Sequence, residues 1–419
     1  MSASPTGPEP AWQGGIQRLP LLVFFGIYLP SCYVGAILFL LPGMWIQPAL
    51  PALTRRDVLV VLVLLNVAPA LLWVAAEGGF RLVARLRPRH DPSPTLDPGA
   101  PLLGWLVLLA ALVVAGWSLH RAEALSFLGG WSNHRTYLHA RWHLMARLTF
   151  FEFVNLYTVL PLAGAYLMLV QKRRWATVLV AALVGLAQFP LAQRRVLLTS
   201  ALLIGAALYI HWFVGGETSR HGHRRAVWAL LGGAAALWAL FLILTLQWEP
   251  LQTAMYGLAM RYAFPAIVYP LVFPRILPYY HVDIALDMVG IGRMPDDSIR
   301  VHQVLQPGSD YTITAPFQFV LYSQGGVIVA LAGSIIVGAW LGGCWAAVLG
   351  LPRRTAIRSL LGALVITFGA YLAMDSARDA LTVSYGVAWG GLVVGFLHVA
   401  SLAGRIVGTG PSPRPKGSQ

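Results

Sequence analysis

Arginine carries a planar fork of N–H donors that fits two oxygens of a phosphate at once. This 419-residue chain holds arginines at positions where such an anion would be a natural partner. Arg194 and Arg195 follow Pro190 in a very short turn between two apolar runs. Arg261, Arg275, Arg293 and Arg300 lie between Trp248 and Pro316, the one long non-hydrophobic interval of the chain. A charge at a membrane boundary is costly unless it snorkels or pairs, so interfacial anchoring is the alternative reading of each arginine. The same interval holds His302, Asp310 and Asp283. A histidine or a carboxylate can take the proton from an attacking hydroxyl, although a loop aspartate also serves as a turn former or helix cap.

Between Arg261 and His281, Tyr262, Tyr269, Tyr279 and Tyr280, with Phe264 and Phe273, alternate with Pro265, Pro270, Pro274 and Pro278. Prolines this close predict that no regular helix forms there. The tract is expected along the membrane interface, where aromatic rings are favoured. As a functional site, the four tyrosines would form a wall on which sugars stack. A further group, His134, Arg135, His139, Arg141, His143 and Arg147, precedes another apolar run. His139 and His143 would share one helix face, but no nearby carboxylate or cysteine completes a ligand set. A basic outer patch is therefore expected there, and no metal. The chain has no Asp-x-Asp pair, no Walker A sequence and no Gly-x-Ser-x-Gly elbow. Gly290-Ile291-Gly292 has no strand beside it to make a dinucleotide fingerprint. No cofactor is expected.

The elements that must position these residues follow from composition. Hydrophobic residues make up 57% of the chain and charged residues 11%, against about 45–50% and about 25% in soluble domains. The mean hydropathy is +0.67. The net charge of +14 is spread in small groups between apolar runs, which is the pattern of loops between spans and excludes a nucleic-acid-binding face. The two cysteines, Cys32 and Cys344, lie far apart in apolar runs and imply no disulfide framework. Apolar segments of about 20 residues without alternation are helices in lipid. The expected fold is an all-α, polytopic membrane helical bundle of about ten transmembrane helices with one large extracytoplasmic loop.

The spans are expected at about 19–41, 58–76, 102–119, 148–170, 175–191, 196–213, 226–245, 325–349, 360–374 and 381–402. Residues 1–17 read as a disordered cytoplasmic tail, 18–404 as a single transmembrane domain with residues 248–316 as its large loop, and 405–419 as a basic cytoplasmic tail. Ten spans put both termini on one side, and the positive-inside rule makes that side cytoplasmic. The inner loops then take Arg18, the arginines at 81–89, Lys172 to Arg174, and the basic loops near 220–225 and 353–358. Many arginines nevertheless remain outside, as though something anionic were bound there; lipid head groups are the plainer partner.

Three features together resemble the Wzy-type oligosaccharide repeat-unit polymerases, the O-antigen polymerase group related to the O-antigen ligases. One is the arginine-bearing turn that opens a span, Gln193-Arg194-Arg195-Val196-Leu197-Leu198. The second is the single large outer loop late in the chain. The third is the exit from that loop, Thr314-Ala315-Pro316-Phe317-Gln318-Phe319-Val320-Leu321-Tyr322-Ser323-Gln324-Gly325-Gly326. The likeness covers roughly residues 150–345, and the chain departs from many members in having two arginines at the turn.

The resemblance implies a metal-independent glycosyltransferase of the bacterial cytoplasmic membrane. It would act on a polyprenyl-diphosphate-linked oligosaccharide among membrane lipid, with a chain-length regulator protein as a further partner and no nucleic acid. Arg194, Arg195, Arg261, Arg275 and Arg293 would hold the diphosphate; His302, Asp310 or Asp283 would be the catalytic base; Tyr262, Tyr269, Tyr279 and Tyr280 would bind sugar. A ligase-like or other lipid-linked glycosyltransferase, and a transporter or flippase for an anionic glycolipid, are the alternatives.

Overall fold

The computed structural model describes residues 16–29, 32–33, 54–86, 101–123, 147–171, 174–188, 194–214, 264–279, 301, 303–304, 315–352, 355–374 and 387–408. Among the described residues the regular structure is helical throughout. Among the described residues, four helices are long and apolar enough to cross a membrane: Arg55–Leu86, Pro101–Arg121, Phe150–Val170 and Phe317–Leu349. In chain order the elements are α1 (Leu19–Leu29), α2 (Arg55–Leu86), α3 (Pro101–Arg121), α4 (Phe150–Val170), α5 (Arg174–Gln188), α6 (Arg194–Tyr209), α7 (Phe264–Val272), α8 (Phe317–Leu349), α9 (Ala356–Leu372) and α10 (Val387–Gly408). The expected spans at 102–119 and 148–170 match α3 and α4 to within two residues.

The helices form two compact units. The first takes Met1–Asp91, Thr218–Leu351 and Val365–Val387; the second takes Pro92–Glu217, Pro352–Leu364 and Ala388–Gln419. In the second unit, α3 shows why these segments fit lipid. Leu102, Leu106, Leu109, Val113 and Trp117 are exposed along one face, while Gly104, Leu108, Ala111, Ala115 and Leu119 are buried along the other. An apolar stripe left uncovered over about four turns is out of place in water and at home among acyl chains. The buried face packs on Leu160, Ala163 and Leu167 of α4 and on Val180 and Val184 of α5.

In the first unit, α1 and α2 run antiparallel. Arg18, at the start of α1, pairs with Glu77 late in α2. Tyr28, near the end of α1, donates to the carbonyl of Leu65 earlier in α2 (2.9 Å). That carbonyl lies in the π turn Val63–Val67, which interrupts α2. A second π turn, Asn155–Val159, interrupts α4, and there the side chain of Gln188 donates to the carbonyl of Leu156 (2.6 Å). A π turn widens the helix and shifts its ladder by one residue. In both helices a carbonyl inside it takes a bond from a neighbouring side chain.

The glycines of α8 set its contact with α2. A Cβ added to Gly338 would lie 2.4 Å from the Leu72 carbonyl oxygen, and one added to Gly342 would lie 1.9 Å from that of Ala76. From the other side, a Cβ on Gly79 would lie 2.2 Å from the oxygen of Ala339. Gly338-Ala339-Trp340-Leu341-Gly342 is a GxxxG sequence, whose bare surface lets two membrane helices approach backbone to backbone. The order Gly338 with Leu72, then Gly342 with Ala76, makes the two helices parallel.

Phe317–Leu349 is not one rod. Gly325 (φ −168°, ψ 24°) and Gly326 (φ 78°, ψ −164°) break it, and Gly326 adopts a left-handed φ that side chains disfavour. After the break the chain folds back: a Cβ on Gly333 would lie 2.4 Å from Leu321 Cδ1. Residues 317–324 therefore form a short arm antiparallel to 327–349. The arm is buried from Phe317 to Gln324, and Ala315 and Pro316 before it are buried too. Gln318 Nε2 reaches Tyr28 Oη (3.0 Å), which ties the start of the arm to the α1–α2 interior. The residues just before α8 thus enter the bundle, and the expected span at 325–349 is the longer limb of this hairpin.

A second correction concerns the proline-rich tract. Phe264–Val272 is helical, with Pro270 inside it. Pro265 falls in the first turn, where an amide proton has no helical partner and proline is tolerated. Val268, Tyr269, Leu271, Val272 and Phe273 are buried, so packing outweighs the bond that Pro270 removes. Those residues lie among protein side chains, with no face left open to lipid or solvent.

Gly342→Val is expected to destabilise the protein by about 3 kcal/mol or more, because the added atoms meet main chain that cannot turn aside. Gly116→Val, at a position with nothing within 4 Å of a new Cβ, is expected to change stability by less than about 1 kcal/mol. Thermal unfolding of the purified proteins in detergent measures both.

Candidate functional site

The site begins with the four residues that start α2, Thr54-Arg55-Arg56-Asp57. Thr54 is extended (φ −87°, ψ 164°) and its hydroxyl accepts from the Asp57 amide, while Asp57 Oδ2 accepts from the Thr54 amide at 2.7 Å. This reciprocal capping box satisfies two otherwise orphaned donors at the helix start. Asp57 is buried although it lies in the first turn of a membrane helix. A buried carboxylate requires partners for its remaining lone pairs.

Arg275 supplies them. Its Nη2 lies 2.9 Å from Asp57 Oδ1, 2.8 Å from Oδ2 and 3.0 Å from Thr54 Oγ1. The Arg275 side chain is 34% exposed and that of Asp57 is 7% exposed, so the pair has one dry face and one open face. Arg275 sits in the turn after α7, where Ile276 N donates to Val272 O (2.8 Å) and Leu277 N to the same oxygen (3.1 Å). The Phe273–Pro274 peptide in that turn is cis.

The same turn is fastened to the hairpin of α8. Tyr322 Oη donates to the Phe273 carbonyl (3.1 Å), and Tyr279 Oη donates to Tyr322 Oη (3.3 Å). The two rings meet edge to face with centroids 5.7 Å apart. Tyr279 also lies over the break in α8, where a Cβ on Gly326 would come within 3.2 Å of its ring carbon and its oxygen. Glycine is thus required at 326 twice, for its φ and for this ring. Residues 273–279 form a strap held at one end by Asp57 and at the other by the hairpin turn.

Among the described residues, basic groups outnumber acidic ones at the start of α2. Arg55 and Arg56 are exposed and flank the single carboxylate that Arg275 engages. Arg275 pairs with Asp57, and Arg55 and Arg56 lie beside it at a helix start, where the macrodipole favours anions. An anionic group arriving there gains from all of them. Asp57 does not figure among the residues picked from the sequence for chemistry, although Thr-x-x-Asp before an apolar run is a capping-box signature.

Of the residues expected to bind diphosphate, Arg275 takes its place here. Arg194 and Arg195 occupy the first two positions of α6 in the second unit, and their side chains lie outside the described residues. Arg261 and Arg293 lie outside the described residues, as do His302, Asp310, Asp283, Tyr262 and Tyr280. Tyr279 joins Arg275 on the strap. Tyr269 is fully buried and packs against Phe273 and Phe319, so it presents no face for stacking. From the expected basic patch, Arg147 pairs with Glu123 (3.0 Å), while Arg121 pairs with Glu152 and donates to the Arg147 carbonyl (2.8 Å). His134, Arg135, His139, Arg141 and His143 lie outside the described residues.

A double-mutant cycle on Asp57→Asn and Arg275→Gln is expected to give a coupling of about 1–2 kcal/mol in thermal stability, as for residues in one hydrogen-bonded ion pair. Additive single effects would show that Asp57 does not hold Arg275. Comparison of the chain with protein families, curated proteins and solved structures finds no match.

Proposed function

We propose that the protein polymerises polyprenyl-diphosphate-linked oligosaccharide repeat units at the outer face of the bacterial cytoplasmic membrane, spanning it about ten times with both termini inside. The observation that carries this reading is the Arg275 site: an arginine anchored by a buried aspartate, open on one side, and flanked by Arg55, Arg56 and a tyrosine strap. In this reaction the acceptor hydroxyl attacks the anomeric carbon of the growing glycan, the bond to the diphosphate breaks, and a base takes the hydroxyl proton. The leaving diphosphate carries the developing charge, and preorganised guanidinium groups stabilise it most effectively where water is scarce. Asp57 acts here as a positioning residue for Arg275. Arg261 and Arg293 complete the diphosphate cradle in this reading, Tyr279 stacks sugar, and His302, Asp310 or Asp283 takes the proton.

One observation favours a second reading. The buried arm at 317–324 followed by a glycine break is a discontinuous membrane helix, an arrangement that transporters use to carry polar substrates across the bilayer. A flippase for an anionic glycolipid would use the same Arg275 site as a release point.

The test is restoration of a deletion strain with Arg275→Ala, Arg194→Ala or Arg195→Ala. The polymerase reading expects surface glycan capped with single repeat units and at least about a hundredfold loss of longer chains, the magnitude of losing one charge-stabilising donor. Unextended units accumulating inside the cell would favour the flippase. Normal chain length in all three variants would sink the site.

A further inference from the structure

We propose that diphosphate, the ligand in the polymerase reading on which this rests, is bound across two separate arginines, with one hydrogen bond from Arg275 Nη1 and the next from Arg56. A guanidinium offers five N–H donors along two forked edges, Nε with Nη2 and Nη1 with Nη2. Nη2 belongs to both edges. In this protein Nη2 of Arg275 is the atom that meets Asp57 Oδ1 (2.9 Å), Asp57 Oδ2 (2.8 Å) and Thr54 Oγ1 (3.0 Å). Its hydrogens are spent there, so neither fork is open while the pair is intact. The nitrogens that remain, Nε and Nη1, share no edge. With its side chain 34% exposed, Arg275 can give an outside anion a single end-on bond. A diphosphate held firmly here needs a second donor from another group.

The hydroxyls around Arg275 do not supply it. Thr54 Oγ1 donates to Asp57 Oδ2 (2.6 Å). Tyr322 Oη donates to the Phe273 carbonyl, which can only accept, and Tyr279 Oη therefore gives its hydrogen to Tyr322 Oη. Each of these hydrogens already goes to a protein oxygen.

Among the described residues, Arg56 is the side-chain donor left on this side. It is exposed, and its charge, like that of Asp57, acts on the Tyr322 hydroxyl. That places it towards the strap. Successive helical residues are about 100° apart, so Arg56 is about a quarter turn from Asp57 while Arg55 is about half a turn away, on the far side. The two contacts differ in kind. Arg275 must stand at Asp57 and at the ligand together, which takes two nitrogens and excludes lysine. Arg56 gives one bond and a charge, which lysine can also give.

The full-length protein is purified in detergent and titrated with inorganic pyrophosphate by isothermal calorimetry. The parent is expected to bind, and Arg56→Gln is expected to weaken binding about tenfold, the loss of one hydrogen bond between charged groups. Arg56→Lys is expected to stay within about threefold of the parent, and Arg275→Lys to lose at least about tenfold. Arg55→Gln is expected to cost about twofold, and Arg81→Gln, near the other end of α2, nothing. No binding by the parent, equal losses in Arg55→Gln and Arg56→Gln, or full binding by Arg275→Lys would each overturn the proposal. Weakened pyrophosphate binding by Arg56→Gln, together with normal glycan in strains restored with Arg56→Gln and with Arg275→Ala, would overturn the polymerase reading and leave the two-arginine site standing.

Discussion

The first turn of a helix entering lipid has amide protons that neither the helix nor the solvent can satisfy, and much of this protein is built on how that need is met. At the starts of α2 and α4 a threonine and an acid three residues later form a capping box, Thr54 with Asp57 and Thr149 with Glu152. Each acid is also gripped by an arginine from a distant part of the chain, Arg275 in one case and Arg121 in the other. One carboxylate therefore terminates a helix and docks a loop in the same stroke. The strap that carries Arg275 and Tyr279 has a defined place because α2 must begin somewhere.

The interior uses the same economy with main-chain groups. The π turns of α2 and α4 each offer a carbonyl to a side chain of another helix, so an irregular ladder becomes a tether. The arm at 317–324 is an extreme case. Its start lies among buried groups, where exposed main chain would be prohibitive in lipid and is acceptable inside protein. Gln318 on that arm keeps one amide hydrogen bond, to Tyr28, while its Oε1 has no partner. That acceptor is a place where a water or a polar substrate group would be welcome.

Two spans were the easiest part to read. Residues 101–121 and 150–170 declare themselves by mainly apolar runs of 21 residues each, bounded by Arg121 and by Thr149-x-x-Glu152, and the bilayer imposes that length. The arm at 317–324 was hidden because Phe-Gln-Phe-Val-Leu-Tyr-Ser-Gln has much the character of the limb it precedes, and only Gly325-Gly326 marks the reversal. Glycine is common in membrane helices, so the pair alone is a weak signal. At Pro270 a local rule gave way to burial of Tyr269, Val272 and Phe273. Arg275 was legible as a candidate from its type and surroundings. Its partner Asp57 was not, because it lies more than two hundred residues away and nothing in the sequence joins them.

The contact of α8 with α2 has a mechanical consequence. Where two backbones touch with no side chain between them, there is little compressible material to absorb a tilt. The contact at Gly342 acts as a fulcrum, and the hairpin turn at Gly326 is the far end of an arm about 24 Å long, sixteen residues at 1.5 Å each. A rotation of roughly five degrees there swings the turn by about 2 Å over that length. Tyr279 rests on that turn and Arg275 is four residues away on the same strap. The geometry around Arg275 is thus set partly by how closely two bare stretches of helix meet, well away from Arg275 itself.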